Sequence, residues 1–408
     1  MELFPTVDTG HRTGLARTPP AHDTGMHASP MHSRHWVEVR QHGIRLDMRP
    51  HPATGDFQVQ PILNVALVGY GFVGKAFHAP LIRHTPGLRL HTVASSDAGK
   101  VLADHPDVRV FAAADAAFAD PDIDLVVIAA PNTVHAPLAN AALAAGKHVV
   151  VDKPFTITTQ EAREVVANAA RAQRLVSVFQ NRRWDSDFLT LQQLIAAGTL
   201  GEIAEFHSHF DRHRPIVADR WREHDLPGSG LWYDLGPHLI DQALQLFGMP
   251  VALTADIGLQ RVHAHTPDYF HVLLRYPTLR VVLHAGSLVP ANGLRFAVHG
   301  TRGSYVKHGL DVQESALRAG AIPGQVGWGV DSRPGELHEA TDEGMRVSSL
   351  PGIAGDYRAY YAAMRDAIVH GSPLPVTPSQ ALDVMAMLEW GMQSALERRE
   401  IACTAFDD

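Results

Sequence analysis

The sequence predicts an α/β protein in two parts: a doubly wound parallel sheet, followed by an α+β domain with a large, mostly antiparallel sheet. Two observations carry this. From Asn64 to Arg183, short all-apolar runs alternate with helix-like stretches, the pattern of strands covered by helices on both faces. Beyond Arg183 the apolar residues fall into longer runs of period two, which suit antiparallel strands with one face packed and the other free.

The bulk properties narrow the function. A chain of 408 residues is too long for one simple core. No apolar run approaches the length of a membrane span, so no membrane partner is expected. The first residues, MELFPTVDTGHRTGLARTPP, contain neither an apolar signal core nor a twin arginine, which favours the cytoplasm. The lone Cys403 excludes an intramolecular disulfide and a thiolate metal site. A formal net charge of −8 disfavours nucleic acid as a partner.

Taken in order, residues 1–60 are rich in Pro, Thr, His and Arg without a sustained period, and read as a poorly ordered extension. A start nearer Met48 would explain them equally well. Seven histidines fall there at irregular spacing, and no metal site is expected from them. Residues 61–183 open with NVALVG and a helix from Phe72. LRLHTVASS and a polar helix come next, then IDLVVIAAP and a helix around Ala136 to Ala145. KHVVVDKP, the helix TQEAREVVANAARA and the strand LVSVFQN complete this part. Residues 184–408 contribute the strands EIAEFHSHFDRHRP, ALTADIGLQRVHAH, YFHVLLRYP, RVVLHAGSLV and LRFAVHG. They also hold the helical run GLWYDLGPHLIDQALQLFG and two amphipathic C-terminal helices, YRAYYAAMRDAIVHG and SQALDVMAMLEWGMQSALE. A sheet that alternates this way has a face to bury, so self-association into a homo-oligomer is expected. His207, His209, His213, His224, His263 and His265 tempt a metal reading, but alternation alone places such pairs on one face, and none is assigned a metal.

The first strand runs into Gly69-Tyr70-Gly71-Phe72-Val73-Gly74. Between a strand and a helix, GxGxxG is the dinucleotide fingerprint of the Rossmann unit. Its first glycine permits the turn, the second admits the pyrophosphate to the backbone, and the third lets helix and strand close up. About twenty residues on, an NAD enzyme usually places a carboxylate for the adenosine ribose. Here stand Ser95, Ser96 and Asp97, with Lys100 following. Two hydroxyls and an ammonium suit a 2′-phosphate, and Asp97 suits the diol. NADP is therefore favoured, with NAD possible.

Three more segments carry a family resemblance. Ala130-Pro131-Asn132-Thr133-Val134-His135 is similar to a TPNxxH loop, Gly146 to Pro154 to a GKHVxxEKP segment, and Asp234 to Asp241 to a DxGxHxxD motif. With the glycine loop they occur in the order of the Gfo/Idh/MocA oxidoreductases, which the chain resembles over most of residues 61–408. It departs in having Asp152 where the family has Glu, and Gly228-Ser229-Gly230 where it has a plain glycine run. The segments FQNRRWDSDF, HFDRHRP and RWRE resemble a subgroup acting on inositols and related sugars.

The resemblance implies Pro131, Asn132, His135 and Lys153 beside the cofactor, and a cis bond between Lys153 and Pro154. It implies Lys153 and His238 at the reacting oxygen, with Asp234 in support. The residues argue the same chemistry independently. Asp234, His238 and Asp241 lie at i, i+4 and i+7, one face of a helix. Oxidising a secondary alcohol needs a base for the hydroxyl proton, a carboxylate beside histidine orients such a base, and a lysine stabilises charge on oxygen. Asn181, Arg182, Arg214 and Asp241 are expected at a small polyol or sugar substrate, with Asp241 alternatively a structural cap. The other arginines between Arg183 and Arg222 read mainly as solvated or paired with nearby carboxylates. The sequence thus reads as an NAD(P)-dependent dehydrogenase or reductase, with scyllo-inositol or its ketone as lead substrate. Two rivals are a redox-neutral sugar enzyme with tightly held NAD and a dinucleotide sensor without turnover. The intact Lys153, Asp234 and His238 disfavour the sensor.

Overall fold

The computed structural model describes residues 61–291 and 293–404. The expected extension over residues 1–60, with its histidines and Met48, lies outside them.

The first sheet is built from β1 (Leu63–Val68), β2 (Leu88–Ala94), β3 (Arg109–Phe111), β4 (Leu125–Ile128), β5 (His148–Val151) and β6 (Val176–Val178). All are parallel, in the order β3-β2-β1-β4-β5-β6. The order reverses between β1 and β4, and in open α/β sheets ligands bind at the carboxyl ends beside such a switch point. The linking helices are α1 (Ala79–Arg83), α2 (Ala98–Asp104), α3 (Ala114–Phe118), α4 (His135–Ala144) and α5 (Thr159–Ala172). α5 starts at a reciprocal capping box between Thr158 and Glu161. α1 continues from a wider π-wound turn over Gly74–His78, the form helices often take beside functional sites.

Next come α6 (Ser186–Ala196), β7 (Ile203–His209), α7 (Gly230–Phe247), β8 (Ala252–Gly258), β9 (Tyr269–Arg275), β10 (Arg280–Gly286), β11 (Leu294–Gly300) and β12 (Gly303–His308). α8 (Gln313–Arg318), β13 (Gly335–Thr341), β14 (Gly344–Leu350), α9 (Arg358–His370), α10 (Pro378–Glu397) and β15 (Ile401–Ala402) complete the chain. The second sheet has nine strands in the order β14-β13-β12-β11-β7-β10-β9-β8-β15, antiparallel apart from the β7–β10 pair. Phe206, Phe270 and Phe296 point inward to one face, where Phe206 packs on Phe247 of α7 and Phe270 on Trp232.

The C-terminal helices touch both sheets. Trp232 of α7 donates to the Leu388 carbonyl of α10 at 3.0 Å, and Tyr360 of α9 bonds Ser177 of β6 at 2.9 Å. Among the described residues no helix is long and apolar enough to cross a membrane.

Candidate active site

At the end of β1 the glycine loop is forced by close approach. Gly69 holds φ +96°, and a Cβ on it would lie 2.4 Å from the Ala129 carbonyl oxygen. A Cβ on Gly74 would meet the Gly69 oxygen at 2.1 Å. Gly71 is different: nothing lies within 4 Å of its would-be Cβ, so the missing side chain leaves room in the cleft. Gly69, Tyr70 and Gly71 line a cavity of about 400 Å³ with Ser95, Ser96, Asp97 and Lys100. That is the cradle a dinucleotide phosphate requires, and the residues present fit one.

Within this cavity Asp97 is already engaged. It caps α2, accepting from the Lys100 backbone N–H at 2.9 Å, while its own N–H donates to the Ser95 hydroxyl at 3.2 Å. The ammonium of Lys100 reaches across to the Tyr70 carbonyl at 3.1 Å. The Asp97 carboxylate thus has a structural task as the cap of α2.

A second cavity of about 280 Å³ lies between the sheets, bordered by Phe72 and Val73 of the glycine loop and by Lys153, Asn181, Arg182, Arg214, Asp234 and His238. Lys153 follows β5, and its bond to Pro154 is cis. Its ammonium donates to the Asp234 carboxylate at 3.0 Å and to the Asp234 backbone carbonyl at 2.5 Å. Pro237, inside α7, has no N–H to give the carbonyl of Tyr233, which interrupts the helical ladder one residue before Asp234. Burial alone would raise the Asp234 carboxyl, but Lys153, Arg222 and Arg212 together hold it well below the usual carboxylate range.

The expected Asp234–His238 hydrogen bond does not form. The i, i+4 spacing does bring both to one cavity, but Asp234 is drawn to three cations: Lys153 at 3.0 Å, Arg222 at 3.7 Å and Arg212 at 3.8 Å. His238 lines the cavity with its Nδ1 buried and unpartnered among the described residues. Burial first, then Lys153 and Arg182, push its imidazole well below the ordinary histidine value, against the opposing pull of Asp234.

Three other expected contacts land elsewhere. His135 is wholly buried, its ring nitrogens 2.9 Å from the Pro154 and Ala130 carbonyls, so it ties the loop after β4 to the loop after β5 and is sealed from the cofactor cleft. Asp241 is buried in a two-pronged pair with Arg183 at 2.6 and 2.8 Å and does not border the cavity, which corrects its assignment to substrate. Asn132 donates to the Gly228 carbonyl at 2.9 Å, so the Gly-Ser-Gly departure is where this loop meets the second half. Pro131 stands exposed beside it.

Arg182 and Arg214 do border the cavity. Arg182 lies over the Phe210 ring at 4.5 Å and pairs with Glu314 at 2.5 Å and Asp185 at 3.3 Å. Arg214 has no side-chain partner among the described residues, and burial, then Arg212 and Arg220, lower its guanidinium to about 10. Arg212, Arg220, Arg222, Glu314 and Arg318 add further charged groups to the wall. The arginines were visible as a cluster in sequence; Glu314 was not, because the short α8 that carries it has no distinguishing pattern.

Comparison with known proteins agrees with this geometry. The chain matches the oxidoreductase family NAD-binding Rossmann fold over residues 63–180 and the oxidoreductase family C-terminal alpha/beta domain over residues 192–403. It is 54% identical to the Escherichia coli oxidoreductase YdgJ over 336 residues, 82% of this chain and 97% of that one. It is 40% identical over 341 residues, 83% of this chain and 95% of that one, to IolW of Bacillus subtilis, named scyllo-inositol 2-dehydrogenase (NADP(+)). A solved oxidoreductase from Bacillus cereus superposes with a TM-score of 0.79 at 32% identity, covering 85% of this chain and 100% of that one. The protein is an NAD(P)-binding oxidoreductase and belongs to the Gfo/Idh/MocA family.

Proposed function

We propose that the protein is an NADP-dependent dehydrogenase or reductase interconverting a secondary alcohol and a ketone on a cyclic polyol or sugar, with scyllo-inositol and its ketone as lead substrates. The observation that carries this is the meeting of the Lys153 ammonium and the His238 imidazole at a single cavity bordered by the glycine loop. When bound, the nicotinamide supplies the hydride acceptor or donor. His238, kept neutral by its surroundings, takes the hydroxyl proton during oxidation and returns it during reduction. Lys153 faces the same oxygen and stabilises its developing negative charge. Asp234 positions Lys153 rather than the imidazole, a role that follows from the 3.0 Å ion pair.

Support for a polyhydroxy substrate comes from the wall of arginines, where Arg214 is left to bind an acceptor on the ligand and Asn181 stands beside Arg182. Support for NADP comes from Ser95, Ser96 and Lys100 beside an engaged Asp97, and from the NADP(+) in the name of the Bacillus subtilis relative. The open sheet face supports a homo-oligomer. The test is a panel of inositols and aldoses with each dinucleotide, followed at the absorbance of reduced nicotinamide. Turnover of an inositol with NADP is expected; exclusive turnover of acyclic or non-hydroxylated carbonyls would overturn the substrate class.

A further inference from the structure

On the face of the second sheet opposite α7, the strands align four histidines and one aspartate. His284 of β10 pairs in register with His209 of β7 on one side and His271 of β9 on the other. His207 sits two residues before His209 and stacks on it at 6.1 Å. Asp211, just past the end of β7, turns back to both inner histidines.

The spacing around Asp211 is long for charge-assisted hydrogen bonds and leaves room for a shared ion. His209 Nδ1 and His284 Nε2 stand 3.4 Å from its two oxygens. A charge-assisted N–H···O bond closes to roughly 2.7–2.9 Å. Elsewhere in the described residues such pairs close in two places, His207 on Glu205 at 2.5 Å and His224 on Asp219 at 3.0 Å, and stay open in two, His338 on Glu336 at 3.5 Å and His78 on Asp152 at 3.8 Å. Donors about 2.1 Å from a tetrahedral zinc lie roughly 3.4 Å from each other, which is the distance of each imidazole nitrogen from its own oxygen of Asp211. One ligand atom from each of His209, Asp211 and His284 falls within 4.8 Å of the others.

The surroundings suit ligands more than solvated side chains. Asp211 is held by the Gly286 N–H at 3.0 Å, and the side chains of His209 and His284 are only 19% and 17% exposed. His284 presents Nε2 to Asp211, and its Nδ1 lies 3.4 Å from that of His271, the position that outer partners of metal-bound histidines take.

We propose that His209, Asp211 and His284 form a site for a divalent transition cation of the zinc class, with one position open to water. Two imidazoles and a carboxylate are borderline ligands that favour such ions over calcium or magnesium. The site is separate from the proposed hydride chemistry. It lies at the root of the segment that carries Arg212 and Arg214 into the substrate cavity, because the Arg212 N–H donates to the Gly286 carbonyl at 2.9 Å beside Asp211.

The test uses full-length, tag-free protein stripped with chelator, titrated with Co²⁺ and then with Zn²⁺. Wild type should take up one four-coordinate Co²⁺, seen by its intense visible absorption, and release it to Zn²⁺. His284→Ala and the near-isosteric Asp211→Asn should each bind at least about 100-fold more weakly, and His271→Ala roughly 10–100-fold more weakly. The histidines of residues 1–60 are present in every variant, so ions they hold cancel in the comparison. Equal Co²⁺ spectra in wild type and Asp211→Asn, or only the weak six-coordinate spectrum in wild type, would overturn the site.

Discussion

Helix α7 carries two aspartates seven residues apart, Asp241 buried and Asp234 half-buried, and they do opposite things. Asp241 is closed: Arg183 grips both its oxygens, and the same guanidinium donates to the Pro375 carbonyl at 2.8 Å and to Gln380 at 3.1 Å. Asp234 is shared: Lys153, Arg222 and Arg212 compete for it at 3.0 to 3.8 Å beside a cavity. A saturated pair holds elements together. An oversubscribed carboxylate leaves cations with capacity for a ligand, and this is what a site needs.

That contrast predicts separable phenotypes. His238→Asn should leave dinucleotide binding intact and lower polyol oxidation by roughly 10²–10⁴-fold, the usual worth of a positioned base. Lys153→Ala should be of similar size, and the double variant should fall short of the product because both groups serve one proton movement. Steady-state kinetics with a parallel cofactor titration measures this, and near-normal turnover in His238→Asn would return that residue to a structural role. Asp241→Asn should instead act on folding. Leaving Arg183 buried without its carboxylate costs about 3–5 kcal/mol, read from denaturant unfolding, while kcat in the surviving folded protein stays close to wild type. A selective loss of kcat in Asp241→Asn would break the comparison and restore Asp241 to the substrate.

The two aspartates also mark where sequence reasoning reaches and stops. Periodicity puts Asp234, His238 and Asp241 on one helical face, and all three are indeed on α7. Periodicity does not say which cations arrive from other elements. Lys153 comes from the loop after β5, Arg183 from the turn after β6, and Arg212 and Arg222 from the segment after β7, so the carboxylate partners were assigned by proximity in sequence and came out wrong. His135, placed beside the cofactor by the family resemblance, likewise has partners that sequence does not show, two carbonyls on separate loops. The parallel sheet was legible because strands buried on both faces must be apolar throughout. β13 and β14 were not, because β14 is mostly exposed and lacks an apolar face to betray it.

A smaller effect is expected at the adenosine end of the first cavity. Ser95→Asp should repel a 2′-phosphate and favour a ribose diol, shifting the NADP/NAD ratio of kcat/KM by the value of one charge-assisted contact, about 1.5–3 kcal/mol. An unchanged ratio would mean that Ser95 does not face the 2′ position.

The finest test of the shared carboxylate is its pH dependence. His238 is pushed below the ordinary histidine value of 6.5 in the folded protein, so the unfolded chain binds a proton there before the folded one does. Stability must therefore rise with pH between the folded value and 6.5, be fully present above 6.5, and fall on acidification, by at most about 1.4 kcal/mol per pH unit for one proton. Asp234 has the same sign at lower pH: its contribution holds above the usual carboxylate value of 3.8 and is lost as pH falls toward its depressed folded value. Oxidation should follow the first of these, staying flat through pH 6.5 and declining only below it, because the imidazole is already neutral. Lys153 is the largest charge depressing His238 after burial itself, so a variant that removes it should let the imidazole rise toward its ordinary value. Lys153→Ala should then carry its residual activity with an acid limb displaced upward, and its unfolding free energy should depend less on pH near 6 than that of wild type. Coincident acid limbs in the two proteins would show that Lys153 and His238 are electrostatically independent, and the oversubscribed cluster would reduce to neighbouring but separate groups.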